Sequence, residues 1–171
     1  MVTSCLGRSL PSSPGPGLGA CSIRTRVGGE KCQASPVEVT EADAGRIPSG
    51  NLRVPRAEFV AVWVVGERRC AGEWYAAGVA LTCRWMAGAV VRAFDGRLGP
   101  ARAPVTRRMA RAYEELIQAE YLAAEALEQR RPRSWWLEEK PGWIEGVCAT
   151  LRWAWVGSGP PPIDVRERSA G

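Results

Sequence analysis

Glutamates, cysteines, a cluster of arginines and eight tryptophans are the side chains in this sequence with chemistry to offer. Glu73, Glu114 and Glu145 are the candidate acid–base groups, since carboxylates buried together could assist a hydrolysis or hold a metal. Their spacing contains no Glu-x-x-His pattern, and the chain has no histidine. Imidazole bases, shuttles and ligands are therefore absent, and Ser-His-Asp or Cys-His systems built within the chain are excluded. Gly78 and Gly88 do not form a phosphate loop, because the glycine cluster followed by Gly-Lys-Ser or Gly-Lys-Thr is missing. The expectation is a non-enzymatic chain with no catalytic residues, no cofactor and no metal site.

The cysteines are Cys5, Cys21, Cys32, Cys70, Cys83 and Cys148. None forms a CxxC, so a structural zinc would need distant single ligands. Cys83 and Cys148 fall inside apolar helical segments, where a thiol serves as a small buried hydrophobe.

Arg92, Arg97, Arg102, Arg107, Arg108 and Arg111 bracket a Gly/Pro-rich stretch, opposed locally by Asp95. Such a cluster could follow a phosphate backbone through sequence-independent charge. It could equally be a solvated face whose arginines offset the glutamates of the same domain. Lysine occurs only at Lys31 and Lys140, so the arginine bias reads as GC-rich coding and weakens the phosphate argument. Neither helix-turn-helix spacing nor a zinc finger accompanies it.

Among the tryptophans, Trp63, Trp74, Trp85, Trp143 and Trp153 read as packing residues. Trp135 and Trp136, in a polar connector beside Arg133, form the better interface candidate, because tryptophan and arginine recur in binding hot spots.

A short motif written twice positions these groups. Glu73-Trp74-Tyr75-Ala76-Ala77-Gly78-Val79 leads into Arg84-Trp85, and Gly142-Trp143-Ile144-Glu145-Gly146-Val147 leads into Arg152-Trp153. The Gly-Val and Arg-Trp pairs keep the same spacing, and each copy ends near a glycine, Gly88 or Gly157. Trp74, Gly78, Trp85, Trp143, Gly146 and Trp153 are the expected repeat core. Their small residues would let another backbone approach, with tryptophans filling the flanks. Arg84 is expected to point away from this stripe.

The fold expected is mainly α: a small three- or four-helix bundle with a degenerate internal helix repeat and a disordered N-terminal arm. Residues 1–50, rich in Ser, Pro and Gly, read as a low-complexity leader. Residues 51–158 form the helical domain, and 159–171 a flexible tail. Phe59–Val65 is ambiguous: its β-branched run favours a strand, while Pro55 followed by Arg56, Ala57 and Glu58 makes a helix start. The first motif helix is expected over 73–94. The central helix should start at Pro104 or Thr106 and run to Gln129, with Met109, Leu116, Ala119, Ala123 and Leu127 on its apolar stripe. Glu114, Glu115, Glu120, Glu125 and Glu128 occupy much of the remainder. The second motif helix is expected from Pro141-Gly142 to Val156.

The apolar stretches 76–91 and 144–156 are short and each holds an arginine, so neither suits a membrane span. With no apolar run of signal-peptide length, the chain reads as soluble and cytoplasmic. The functional expectation is a protein-interaction or assembly module, binding an unidentified protein or itself. The alternative is a nucleic-acid-associated accessory protein using the arginine-rich loop.

Overall fold

In the computed structural model, residues 38–92 and 96–165 are described. They form a mainly helical fold of repeated helical units. In chain order come α1 (Glu41–Arg46), a 3-10 turn (Ser49–Asn51), α2 (Arg56–Arg69), α3 (Trp74–Met86), β1 (Val90–Arg92), β2 (Leu98–Pro100), α4 (Glu114–Gln129), α5 (Trp135–Glu138) and α6 (Trp143–Leu151). A π-helical turn, Arg152–Val156, continues α6. The described residues thus hold six α-helices where three or four were expected. The two additional ones, α1 and α5, are shorter than two turns.

Most of the expected leader lies outside the described residues, but its last part is structured. Thr40 and Asp43 cap α1 reciprocally, which satisfies amides that a six-residue helix could not. Ile47 and Asn51 are buried in the core. At the other terminus, Ile163 is buried too, so the tail folds back at least that far.

The β-branched run 59–65 is helical, within α2. Phe59, Val62, Trp63, Gly66 and Glu67 are its buried positions, a three- and four-residue rhythm that places them on one stripe. A helix satisfies its backbone amides within the segment, which a strand without a partner cannot do, and this overrides strand propensity.

The centre of the fold is the contact between α3 and α6. A Cβ placed on Gly78 would stand 2.2 Å from the Trp143 carbonyl oxygen, and one on Gly146 would stand 2.2 Å from that of Tyr75. Trp143 occupies in the second copy the place of Tyr75 in the first, so the two contacts are reciprocal. A helix pair that exchanges equivalent contacts is related by an approximate two-fold axis. The motif also includes a threonine not remarked in the sequence: Thr82 and Thr150 each donate to the carbonyl four residues back, of Gly78 (2.8 Å) and Gly146 (2.7 Å). Both hydroxyls are thereby satisfied inside an apolar interface.

The two copies end differently. After α3, Gly88 adopts φ +65°, its amide bonds the Trp85 carbonyl, and the Ala89 amide bonds that of Arg84. These are the two bonds of a Schellman cap. The second copy carries one more residue between its Arg-Trp pair and its left-handed glycine, Gly157 (φ +73°). The π turn absorbs that insertion, and the closing bond runs from the Ser158 amide to the Arg152 carbonyl.

Two expected boundaries are corrected. The first motif helix stops at Met86 rather than reaching Phe94, which lies outside the described residues. Residues 90–92 instead pair antiparallel with 98–100, Val91 facing Gly99. The Gly88 cap turns the chain out of the helix. The central helix begins at Glu114, not at 104–106. Before it, the Ala103 amide bonds the Arg108 carbonyl and closes a loop, so Met109 is 62% exposed instead of lying on the core stripe.

Gly146→Ala would force the α3 and α6 backbones apart and should cost at least about 1–3 kcal/mol, lowering Tm by roughly 2–4 °C for each kcal/mol. Gly99→Ala, with nothing within 4 Å, should leave the calorimetric transition unchanged. Equal melting of the two variants would contradict the close approach.

Candidate functional site

The motif arginines hold carboxylates on the preceding helices. Arg84, expected to point outward, is buried at 3% exposure and forms a bidentate pair with Glu67 of α2, its Nε donating to Oε1 at 2.6 Å. The Trp63 indole N–H donates to the same oxygen at 2.8 Å. In the second unit, Arg152 reaches Glu125 (3.5 Å) and Glu128 (3.8 Å) of α4, and the Tyr121 hydroxyl donates to Glu125. An aromatic donor four residues before a glutamate, answered by the motif arginine, thus occurs in both units. The first copy is sealed and the second lies at the surface. The bond to Glu125 raises the Tyr121 pKa, and Tyr121 in turn raises that of Arg152.

These contacts leave little for thiol chemistry. Cys83 and Cys148 are free and buried, and Cys70 is buried as well. Burial, with Glu67 adding to it, pushes the Cys83 thiol well above its ordinary pKa, and burial beside Glu128 pushes Cys148 up to about 12. Both thiols are protonated and inert at neutral pH. Cys5, Cys21 and Cys32 lie outside the described residues.

Each of the three candidate acid–base glutamates lies beside an arginine. Glu73 pairs with Arg69 at 2.9 Å, Glu114 with Arg53 at 3.9 Å, and Glu145 with Arg133 at 2.7 Å. Glu145 Oε2 is buried without a hydrogen-bond partner. A cleft of about 260 Å³ lies between Tyr75, Arg152 and the turn carrying Gly159 and Pro160. It falls below the usual size of a small-molecule site, roughly 300–1,000 Å³.

The two interface candidates fall at opposite ends of the α3–α6 pair. At the N-terminal ends of both helices, Trp136 meets Trp143 edge-on with ring centroids 5.7 Å apart. The Lys140 ammonium lies over both Trp74 (5.5 Å) and Trp136 (5.7 Å). Trp135, the neighbouring residue on α5, is 62% exposed. Arg133 is held by Glu145, with its pKa raised by that bond. Of the expected triplet, then, Trp135 faces solvent while Trp136 and Arg133 support it.

At the C-terminal ends, Asn51 Nδ2 bonds the Met86 and Ala112 carbonyls, and the Arg53 amide bonds that of Ala154. The ribbon and the loop 101–113 stand here, with the Trp85 indole N–H donating to the Ala110 carbonyl at 3.2 Å. Arg102, Arg107, Arg108 and Arg111 are exposed on that loop, and Arg92 and Arg97 lie on the ribbon side. Arg111 lies beside Gly88, so its charge stands at the negative end of α3. Asp95 is outside the described residues.

Two groups escaped the sequence reading. Arg84 carries the signal of a charge written into an apolar helix, whereas its partner Glu67, beside Arg68 and Arg69 at the polar end of α2, carries none. Glu120, placed off the apolar stripe of the central helix, is 1% exposed. Its carboxylate accepts from the Val105 and Thr106 amides and from the Thr106 hydroxyl (2.6 Å), fixing the loop to α4. No helix among the described residues is long and apolar enough to cross a membrane. Comparison with protein-family models, characterised proteins and solved structures finds no match.

Arg84→Met leaves the Glu67 carboxylate buried without its cation and should destabilise the protein by about 3–5 kcal/mol, whereas the Glu67→Met/Arg84→Met double variant should recover much of that loss. Urea unfolding of the three proteins measures both; a mild effect of Arg84→Met would contradict the sealed pair.

Proposed function

We propose that this chain is a non-enzymatic protein-interaction or assembly module whose anchor is Trp135. The exposure of that one indole carries the reading. Trp63, Trp85, Trp143 and Trp153 are buried, and Phe59 stacks on Trp153 with planes 9° apart, so they serve packing. Trp135 extends from a shelf already stiffened by Trp136, Trp143 and Lys140. A large ring presented on a rigid support loses little freedom on binding and brings most of its area to the partner. The pairing of Glu73, Glu114 and Glu145 with arginines supports a binding role over catalysis. A cytoplasmic location and a partner that is another protein, or a second copy of this chain, belong to the same proposal.

Trp135→Ala should leave the fold intact, because the side chain faces solvent, and should weaken partner binding by at least about 2 kcal/mol, the size of a hot-spot truncation. Leu122→Ala, removing a comparably exposed apolar side chain (55%), is the control. Affinity capture with the full chain, together with sedimentation equilibrium for self-association, should reveal a protein bound by wild type and Leu122→Ala but lost from Trp135→Ala. If no protein, including the chain itself, distinguishes the two variants, the reading fails.

A further inference from the structure

Two groups of arginines contrast among the described residues. Arg46, Arg53, Arg69, Arg84, Arg133 and Arg152 each reach a carboxylate. Arg102, Arg107 and Arg108 are exposed and make no ion pair among the described residues. An arginine face that merely balanced the domain's glutamates would be expected to pair with them, as the first set does. The second set is gathered in one loop, 101–113.

That loop is fixed in shape. The Ala103 amide bonds the Arg108 carbonyl at 3.0 Å and the Arg107 amide bonds that of Ala103 at 3.1 Å. Ala101, Ala103 and Pro104 are buried beneath it, and the buried Glu120 carboxylate clamps Val105 and Thr106. Arg107 is held at φ +59°, a left-handed conformation that residues other than glycine rarely adopt. A strained residue on a clamped loop, bearing an unpaired cation, is the pattern of a preorganised contact.

We infer that the loop 101–113 binds the phosphate backbone of nucleic acid through Arg102, Arg107 and Arg108, with Glu120 as the positioning residue. Guanidinium groups carried on a backbone held in one shape can meet successive phosphates of a polymer and grip them bidentately. The exposed apolar residues of the ribbon and loop, Val90, Leu98, Met109 and Tyr113, are dispersed along the chain, and none lies within a helix. An anionic membrane surface is better served by a helix with a continuous apolar face. Recognition here is independent of sequence, because the face supplies charge rather than an element shaped for a groove.

Fluorescence anisotropy of labelled mixed-sequence oligonucleotides, single-stranded and duplex, tests this with the full chain over a range of salt. On duplex, the logarithm of the association constant should fall against the logarithm of salt with a slope of about −3, close to one unit per arginine. Arg107→Ala/Arg108→Ala should weaken binding about tenfold or more and make the slope shallower by about 2. Arg68→Ala/Arg130→Ala removes the same charge from exposed positions elsewhere and should keep the wild-type slope. Glu120→Gln, confirmed folded by its thermal transition, should bind more weakly while every arginine remains. Absence of binding at low salt overturns the inference. So does an equal loss from both double arginine variants, which would indicate net charge alone, or binding to phosphatidylserine vesicles without binding to either oligonucleotide.

Discussion

The approach of two helix backbones at Gly78 and Gly146 is the constraint on which the rest of the structure depends. Neither position has room for a methyl group. Once the backbones touch, the larger residues of the motif must pack to the sides. Trp85 and Trp153 are buried there, and each motif arginine is carried toward the helix before it. The cost of glycine in a helix, about 1 kcal/mol relative to alanine, is offset by interactions that a separated pair could not make. Removing two hydroxyls and two small residues from solvent at a common interface also fixes the register of the pair.

Reciprocity extends beyond the central helices. α2 leads to α3 and α4 leads to α6. In each unit a glutamate on the first helix, held by an aromatic donor, receives the arginine of the second. The units then diverge. The first gains a buried ion pair and a Schellman cap that releases the chain into the ribbon. The second gains one residue, a π turn, and an ion-pair group open to solvent. Divergence of this kind leaves the two ends of the fold with different surfaces: aromatic at the helix starts, basic at the helix ends.

The sequence made the repeat legible because glycine, valine, arginine and tryptophan at fixed spacing are a steric statement as well as a textual one. Burial of Trp85 and Trp153 follows the same periodicity. Three features were not legible, for physical reasons. The run 59–65 has strand propensity, and only the absence of a pairing edge decides for helix. The start of α4 could not be read because residues 104–113 retain helical periodicity, while the Ala103 amide closes onto the Arg108 carbonyl and Arg107 turns left-handed, neither of which a helix accommodates. Arg84 looked like an outward charge because its partner, Glu67, stands beside Arg68 and Arg69 in a polar sequence that gave no sign of a buried carboxylate. Of the candidate surfaces, the exposure of Trp135 and the lack of ion pairs at Arg102, Arg107 and Arg108 among the described residues are properties of three-dimensional placement. Composition could not have distinguished them from packing and charge balance.

Native-state hydrogen exchange of α3 and α6 tests the central account most directly. If the Gly78–Gly146 approach joins the two units, amides near Thr82 and Thr150 should exchange only through global unfolding, with the same opening free energy and the same dependence on denaturant. A substantially lower opening free energy for one helix would show that the units open independently, and would contradict a fold built on their contact.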